Sequence, residues 1–355
     1  MKRFFLPILA GILCGLSLPV RAQENPFLTR PHYNVAEDYF LETQEWQILD
    51  MVKKSLAANP PAPVNAAEKS PADLARKMAL LAFDAVVHDT RYDDTPAIKE
   101  YVHGNTQAII EALDEPVKDG LMIYHIYDMG FIVKSASTTV AFDLSGQGGR
   151  RVATEQTDRL VDRCDVLFIT HRHGDHADRH VADRFLDQGK PVIVPPACWP
   201  DDERVLHQRN DDGVFSGKIK LAGGKIIRYK LFPGHQNETP TTWTQCNHPC
   251  VTFPEGYTVV SLGDQAHPED NVWMKDARKE AGKVDVMLVT CWMGDTGIII
   301  PGYDPRLVIT GHANEMGHSI THRVPFWYAY HQYENFPDYP AIVMNWGESY
   351  HYTRR

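Results

Sequence analysis

Apolar residues between residues 34 and about 118 recur every three or four positions, the spacing of one face of an α-helix. Three start signals precede these runs: Asn34, Ser70 followed by Pro71, and Thr95 followed by Pro96. The apolar positions of the first two runs are Tyr39, Phe40, Trp46, Leu49, Leu56, Leu74, Met78, Leu81 and Ala85. The pattern predicts a helical accessory region over residues 23–120 that covers the main fold, with a substrate lid as the alternative.

From Leu121 the pattern changes to short apolar and β-branched runs separated by turn-forming residues, which is typical of strands. The predicted strands are Leu121–Tyr127, Phe131–Lys134, Thr138–Asp143, Val166–Thr170, Val192–Pro195, Lys225–Pro233, Tyr257–Leu262, Val284–Thr290 and Leu307–Thr310. Helical or irregular stretches lie between several of them. Two mixed sheets stacked face to face with helices outside accommodate this order, so an α/β fold is expected over residues 121–355.

Residues 1–22 have the character of a secretory signal peptide. Lys2 and Arg3 precede an apolar run over residues 4–20, and Val20 and Ala22 fit a cleavage site after Ala22. We therefore expect a periplasmic or secreted protein. A membrane anchor is the alternative reading of the same run, and no later segment is apolar over a length that could span a bilayer.

The net charge bears on the kind of partner, and the cysteines bear on disulfide bonding. The formal net charge of −10 counts against a nucleic-acid-binding protein, because an acidic surface repels phosphate backbones, but it leaves room for a small-molecule substrate. In an exported chain Cys246 and Cys250 are the favoured local disulfide, while Cys164 and Cys291 fit inert core positions.

The densest chemical motif follows the apolar run 166–170. His171, His173, Asp175 and His176 lie within six residues there, and imidazole nitrogens with carboxylate oxygens are a ligand set for zinc, iron or manganese. Later strands also end in a ligand-type residue after glycine. These residues are His235 after Gly234, Asp264 after Gly263 and His312 after Gly311. Glycine allows close backbone approach, and a strand fixes the ligand.

This motif set resembles that of the metallo-β-lactamase superfamily over about residues 121–350, most closely the branch of ascorbate-6-phosphate lactonase and N-acylphosphatidylethanolamine-hydrolysing phospholipase D. The resemblance implies an αββα sandwich with two divalent ions, zinc or alternatively manganese or iron. The implied ligands are His171, His173 and His235 for the first ion, Asp175, His176 and His312 for the second, and Asp264 for both. Asp143 resembles the carboxylate that orients a ligand imidazole.

The resemblance also implies a hydrolase in which a metal-bridging hydroxide attacks an ester, lactone or phosphodiester of an anionic or lipid-like small molecule. Asp264 argues against lactam cleavage, since lactam-cleaving relatives have another residue there. A metal-binding protein without catalysis and a β-lactamase-type amide hydrolase are the alternatives. Asp175 is also expected to orient the nucleophile.

The segment after His312 supplies further candidates. Glu315, His318 and His322 recur at spacings of three and four, so a helix here would align them on one face. Glu315 could support the ligands, and His318 and His322 are candidate proton donors to the leaving group. A polar helix face without catalytic function explains the same spacing.

Overall fold

A computed structural model describes residues 39–89, 94–239, 241–336 and 338–354. Its α-helices are α1 (Tyr39–Ala58), α2 (Pro71–Val87), α3 (Pro96–Ala112), α4 (Thr154–Asp162), α5 (Arg179–Asp187), α6 (Asn271–Met274), α7 (Arg278–Ala281), α8 (Thr296–Tyr303) and α9 (Phe326–Glu334). None of the helices in these ranges combines the length and apolar character that crossing a membrane requires. The predicted signal peptide, its cleavage site and the Asn34 cap lie outside the described residues.

The strands form two seven-stranded mixed sheets. In order across the first sheet they are β14 (Ser349–Tyr352), β1 (Leu121–Tyr127), β2 (Gly130–Lys134), β3 (Thr139–Phe142), β4 (Val166–Phe168), β5 (Val192–Val194) and β6 (Leu206–His207). Across the second they are β13 (Ala341–Val343), β12 (Pro305–Gly311), β11 (Val284–Thr290), β10 (Thr258–Ser261), β9 (Thr242–Thr252), β8 (Ile226–Thr239) and β7 (Phe215–Lys220). The α/β fold expected from the sequence is confirmed.

Successive side chains of a strand point to opposite faces of its sheet, and this divides the apolar core into two layers. On β11, Val286 and Leu288 pack in the same apolar cluster as Ile123 of the first sheet, which places them between the sheets. Met287 and Val289 point the other way and join the larger cluster that includes the helices. Both sheets are therefore buried on two faces, as an αββα sandwich requires.

The three predicted N-terminal helices are present. The Ser70 side chain accepts a hydrogen bond from Asp73 N, and the Asp73 carboxylate accepts one from Ser70 N, which forms a capping box at the start of α2. Phe83 of α2 packs edge-on against Trp346, with ring centroids 5.1 Å apart. The N-terminal helices thus contribute to the same apolar cluster as the sandwich. Their assignment as a separate accessory region stays a prediction.

Two expectations are wrong. Cys246 and Cys250 are free and lie four residues apart on β9, where a strand rise of about 3.3 Å per residue separates them by roughly 13 Å, beyond disulfide reach. The segment directly after His312, which contains Glu315, His318 and His322, is not an α-helix either, because His312 (φ 61°) and Asn314 (φ 58°) have left-handed backbone angles. Within residues 312–322 only a 3-10 turn, Ile320–His322, is helical.

Candidate metal centre

Polar side chains from both sheets converge where their central strands end. Asp128 follows β1, Asp143 follows β3, and His171 to His176 lie in the loop after β4. Asp264 and His312 follow β10 and β12 of the second sheet. Glycine is required at position 263, directly before Asp264, because φ is 50° there and a Cβ would overlap the Thr170 side chain. The sandwich thus brings six of the seven predicted ligands to one end; His235 is the exception described below.

Asp175, His176, Asp264 and His312 form what we call the four-donor centre. Asp264 Oδ1 lies 3.3 Å from His176 Nε2, and its other oxygen, Oδ2, lies 3.2 Å from His312 Nε2. Asp175 Oδ2 lies 3.6 Å and 3.5 Å from the same two nitrogens. Four ligands placed tetrahedrally at about 2.0–2.2 Å from one ion are roughly 3.3–3.6 Å apart. The spacing is therefore that of a coordination shell.

Hydrogen bonding supports the same interpretation. His176 Nε2, His312 Nε2 and Asp264 Oδ1 are buried and make no hydrogen bond. Unpaired buried polar atoms are costly, and three of them pointing at one place need a shared partner. A divalent cation satisfies all three, so these residues fit a metal ion.

Carboxylates also hold the outer nitrogens of the two imidazoles. Asp143 Oδ2 accepts from His176 Nδ1 at 3.0 Å, and Asp128 Oδ1 lies 3.2 Å from His312 Nδ1. A carboxylate beside Nδ1 keeps the proton there and leaves the Nε2 lone pair for the ion. Asp143 thus lies beside the imidazole of His176, and its role in orienting a metal ligand stays a prediction. Sequence reasoning missed Asp128, whose signal was an acidic residue at a tight turn directly after a buried strand.

Electrostatics couples these groups. Burial opposes charge on His176, yet Asp264, Asp175 and Asp143 raise its pKa well above the ordinary value for histidine. Burial likewise opposes charge on Asp264, but the imidazoles of His176 and His312 hold the pKa of that carboxyl well below its usual range. Without a metal the centre therefore retains protons, which a cation would displace on binding.

A second group of donors adjoins the four-donor centre and shares Asp264 with it. His171 Nε2 lies 3.0 Å from His173 Nδ1 and 3.9 Å from Asp264 Oδ2. His235, the third ligand expected here, is not in this group. Its Nδ1 lies 3.1 Å from Asp270, and its Nε2 lies 2.9 Å from Arg209. Both ring nitrogens of His235 are therefore paired with side chains outside the two donor groups.

The remaining candidates lie in the loop after His312. Glu315 is buried and accepts hydrogen bonds from Gln147, Gly317 N and His318 N, so it shapes this loop. The His318 side chain is 48% exposed, and its ring centroid is 6.0 Å from that of His312. His318 thus lies at the mouth of the centre.

His322 differs from His318 in its contacts. Its Nδ1 is hydrogen-bonded with Ser319 at 2.7 Å and lies 3.4 Å from Thr321 Oγ1, and its side chain is exposed. These partners belong to its own loop. The structure brings His318, but not His322, against a residue of the centre.

No family model and no curated protein matches this sequence. Among solved structures, the chain is similar to Igni18, a metallo hydrolase from Ignicoccus hospitalis, with a TM-score of 0.50 and 16% identity over 66% of this chain and 99% of that one. A protein described as a metal-dependent hydrolase from Parabacteroides distasonis gives a TM-score of 0.43 and 13% identity over 63% and 92%. CmlA, a diiron β-hydroxylase from Streptomyces venezuelae, gives 0.46 and 14% over 67% and 55%. At these identities the likeness concerns the fold, an αββα sandwich of the metallo-β-lactamase type.

Proposed function

We propose that this protein is a metal-dependent hydrolase that uses the four-donor centre. The observation that carries the proposal is the set of buried, unpaired donor atoms on His176, His312 and Asp264 at the spacing of a coordination shell. These atoms lie close to one another but make no hydrogen bond of good geometry, which leaves room for an ion as their common partner. Asp143 and Asp128 supply the supporting carboxylates that such ligands need.

His176, His312, Asp175 and Asp264 would hold a divalent ion in this centre. Such an ion would supply a Lewis acid and make a coordinated water acidic enough to ionise near neutral pH. Asp175 is 15% exposed at its side chain, so it can also accept a hydrogen bond from the attacking water. His318 faces the centre from the solvent side and can donate a proton to the leaving group.

The substrate we propose is an ester, lactone or phosphodiester of a small anionic or lipid-like molecule. Trp292 contacts the centre edge-on, with its ring centroid 5.6 Å from that of His312. The Arg172 side chain is 46% exposed next to His173. Arg172 is paired with Glu238 at 2.6 Å, so an anionic group of a substrate would compete with that carboxylate, while Trp292 offers an aromatic surface to an apolar part. Asp264, as the family resemblance implies, favours oxygen esters over lactams.

Three finer points belong to the same proposal. Two ions would be bound, since Asp264 lies 3.9 Å from His171 Nε2 and also within 3.3 Å of His176 and His312. It is exported by residues 1–22. It acts like the lactonase and phospholipase branch that its motifs resemble.

The test is metal analysis of the purified chain combined with a panel of chromogenic ester, lactone, phosphodiester and lactam substrates. We expect bound divalent metal, turnover of an oxygen ester, and loss of that turnover after chelation with recovery on metal addition. Asp264→Ala should lower both metal content and rate, whereas Asp158→Ala, at a partly exposed residue of α4 outside the centre, should change neither. Bound metal without turnover on any substrate would favour a non-catalytic metal-binding protein, and turnover of the lactam alone would favour amide hydrolysis.

A further inference from the structure

Arg209 is a buried guanidinium fixed beside the site, with a side-chain exposure of 1%. Its Nε donates to Asp211. Its Nη1 donates to the Gly234 carbonyl at 3.1 Å and to Asn247 Oδ1 at 3.2 Å. Its Nη2 donates to His235 Nε2 at 2.9 Å. Contacts from all three guanidinium nitrogens leave this side chain little freedom to turn away.

The other ring nitrogen of His235 is held as well. Asp270 lies 3.1 Å from His235 Nδ1, and Asp270 itself accepts from Gln265 Nε2 at 2.9 Å. Since arginine only donates, His235 Nε2 must offer its lone pair to Arg209, and the ring proton must be on Nδ1. The lone pair that a metal ion would take is therefore already in use.

Strand alternation gives an independent reason. His235 and Gln236 are neighbours on β8, so their side chains point to opposite faces. Gln236 is the buried member of the pair, and its Nε2 donates to Asp264 Oδ2 at 2.9 Å. Gln236, not His235, thus faces the shared ligand of the two donor groups.

We propose that Arg209 withholds His235 from metal binding, so that the ion at His171 and His173 has Asp264 as its third protein ligand and is bound more weakly than the ion in the four-donor centre. The fixed positive charge of Arg209 also disfavours a cation near His235. This inference rests on the metal binding of the proposed function. The protein then carries one resident ion and one exchangeable ion.

The first experiment titrates the metal-free full-length chain with Zn²⁺ in a calorimeter and compares it with His235→Gln. Glutamine can still accept the hydrogen bond from Arg209, so the variant keeps the local structure. We expect two binding phases that differ at least 100-fold in affinity, each unchanged within threefold in His235→Gln. Loss of one phase in His235→Gln would overturn the inference, because it would make His235 a ligand.

The second experiment removes the guanidinium. Arg209→Gln should free His235 Nε2 and tighten the weaker phase at least tenfold, and the double variant Arg209→Gln/His235→Gln should lose that gain. Arg204→Gln, a change at an exposed arginine nearby, is the matched control and should leave both phases as in the parent. An unchanged weak phase in a folded Arg209→Gln protein contradicts the inference, while absence of any Zn²⁺ binding in the parent overturns the proposed function itself.

Discussion

Asp128 Oδ1 lies 3.2 Å from His312 Nδ1, and the backbone carbonyl of Asp128 accepts from His312 N at 2.7 Å. One residue of the first sheet thus fixes both the backbone and the ring of a ligand from the second. The Asp128 side chain is buried and its oxygens make no hydrogen bond, so the nearby imidazole is its main partner. The two halves of the sandwich are joined at the metal centre.

Asp128→Asn should therefore weaken metal binding. The amide keeps the size of the carboxylate but loses the charge that holds the His312 proton on Nδ1, and losses of this kind reach about 10- to 100-fold in metal affinity. Calorimetric titration with Zn²⁺ measures the change. The control is Asp165→Asn, which changes a residue directly before β4 and away from the centre. An affinity within twofold of the parent would show that Asp128 does not act through His312.

His318→Gln should reduce kcat on substrates with poor leaving groups by about 100-fold or more, because a positioned proton donor contributes on that scale. Substrates whose leaving group departs as a stable anion should be affected much less. His322→Gln should change neither class, since the contacts of His322 are confined to its own loop. Equal effects of His318→Gln on both substrate classes would argue against proton donation.

Stability should fall as the pH rises from about 4.5 to 7. Burial of Glu45, only partly offset by the hydrogen bond from Thr95, raises the pKa of this carboxyl to about 7 from an ordinary 4.5. In that window the unfolded chain releases the proton while the folded chain keeps it, so ionisation favours unfolding. Each pH unit in this window should lower the free energy of unfolding by up to about 1.4 kcal/mol.

Urea unfolding of the parent and of Glu45→Gln at pH 5 and pH 7 measures this effect. In Glu45→Gln the free energy of unfolding should fall less between pH 5 and pH 7 than in the parent. Glu111→Gln, at an exposed residue of α3, should keep the pH dependence of the parent. Asp84 should also lower the stability as the pH rises, in a lower pH range. Burial raises its pKa to about 6, although hydrogen bonds from Asn314 and two backbone amides oppose this shift. Parallel pH slopes in the parent and Glu45→Gln would contradict the prediction.

Glu348→Ala should destabilise the fold by about 3–5 kcal/mol. Arg76 of α2 makes two parallel hydrogen bonds to Glu348, at 2.6 and 2.5 Å, and its own side chain is only 2% exposed. Removing the carboxylate leaves a buried guanidinium without its charge partner. Thermal or urea unfolding measures the loss, with exposed Glu203→Ala as the control. A loss under 1 kcal/mol would show that Arg76 finds other partners.

The sequence indicated most of the centre because ligands at strand ends are signalled locally, by an apolar run and then a polar residue. His171, His173, His176, Asp264 and His312 all carried this signal and all reach the site. His235 carried this signal too. Which side chain of β8 faces the centre, however, depends on the register of β8 against β9, and a shift of one residue exchanges His235 and Gln236.

Asp128 and Arg209 were harder to find. Asp128 also follows an apolar strand, β1, but only the packing of the two sheets places it beside His312. Arg209 precedes β7 in an irregular segment with no pattern of its own. Both act through contacts between residues far apart in the chain, for which the hydrophobic pattern carries no information.

Asp143 binds Thr170 N at 2.7 Å and Thr170 Oγ1 at 2.8 Å while it holds His176. The carboxylate that holds the chain just after β4 therefore also orients a ligand imidazole, so contacts within the protein fix this part of the ligand geometry. Chelation should accordingly leave an apoprotein with native circular dichroism that rebinds metal without a refolding phase. Such a protein could be made and folded before it ever meets its metal.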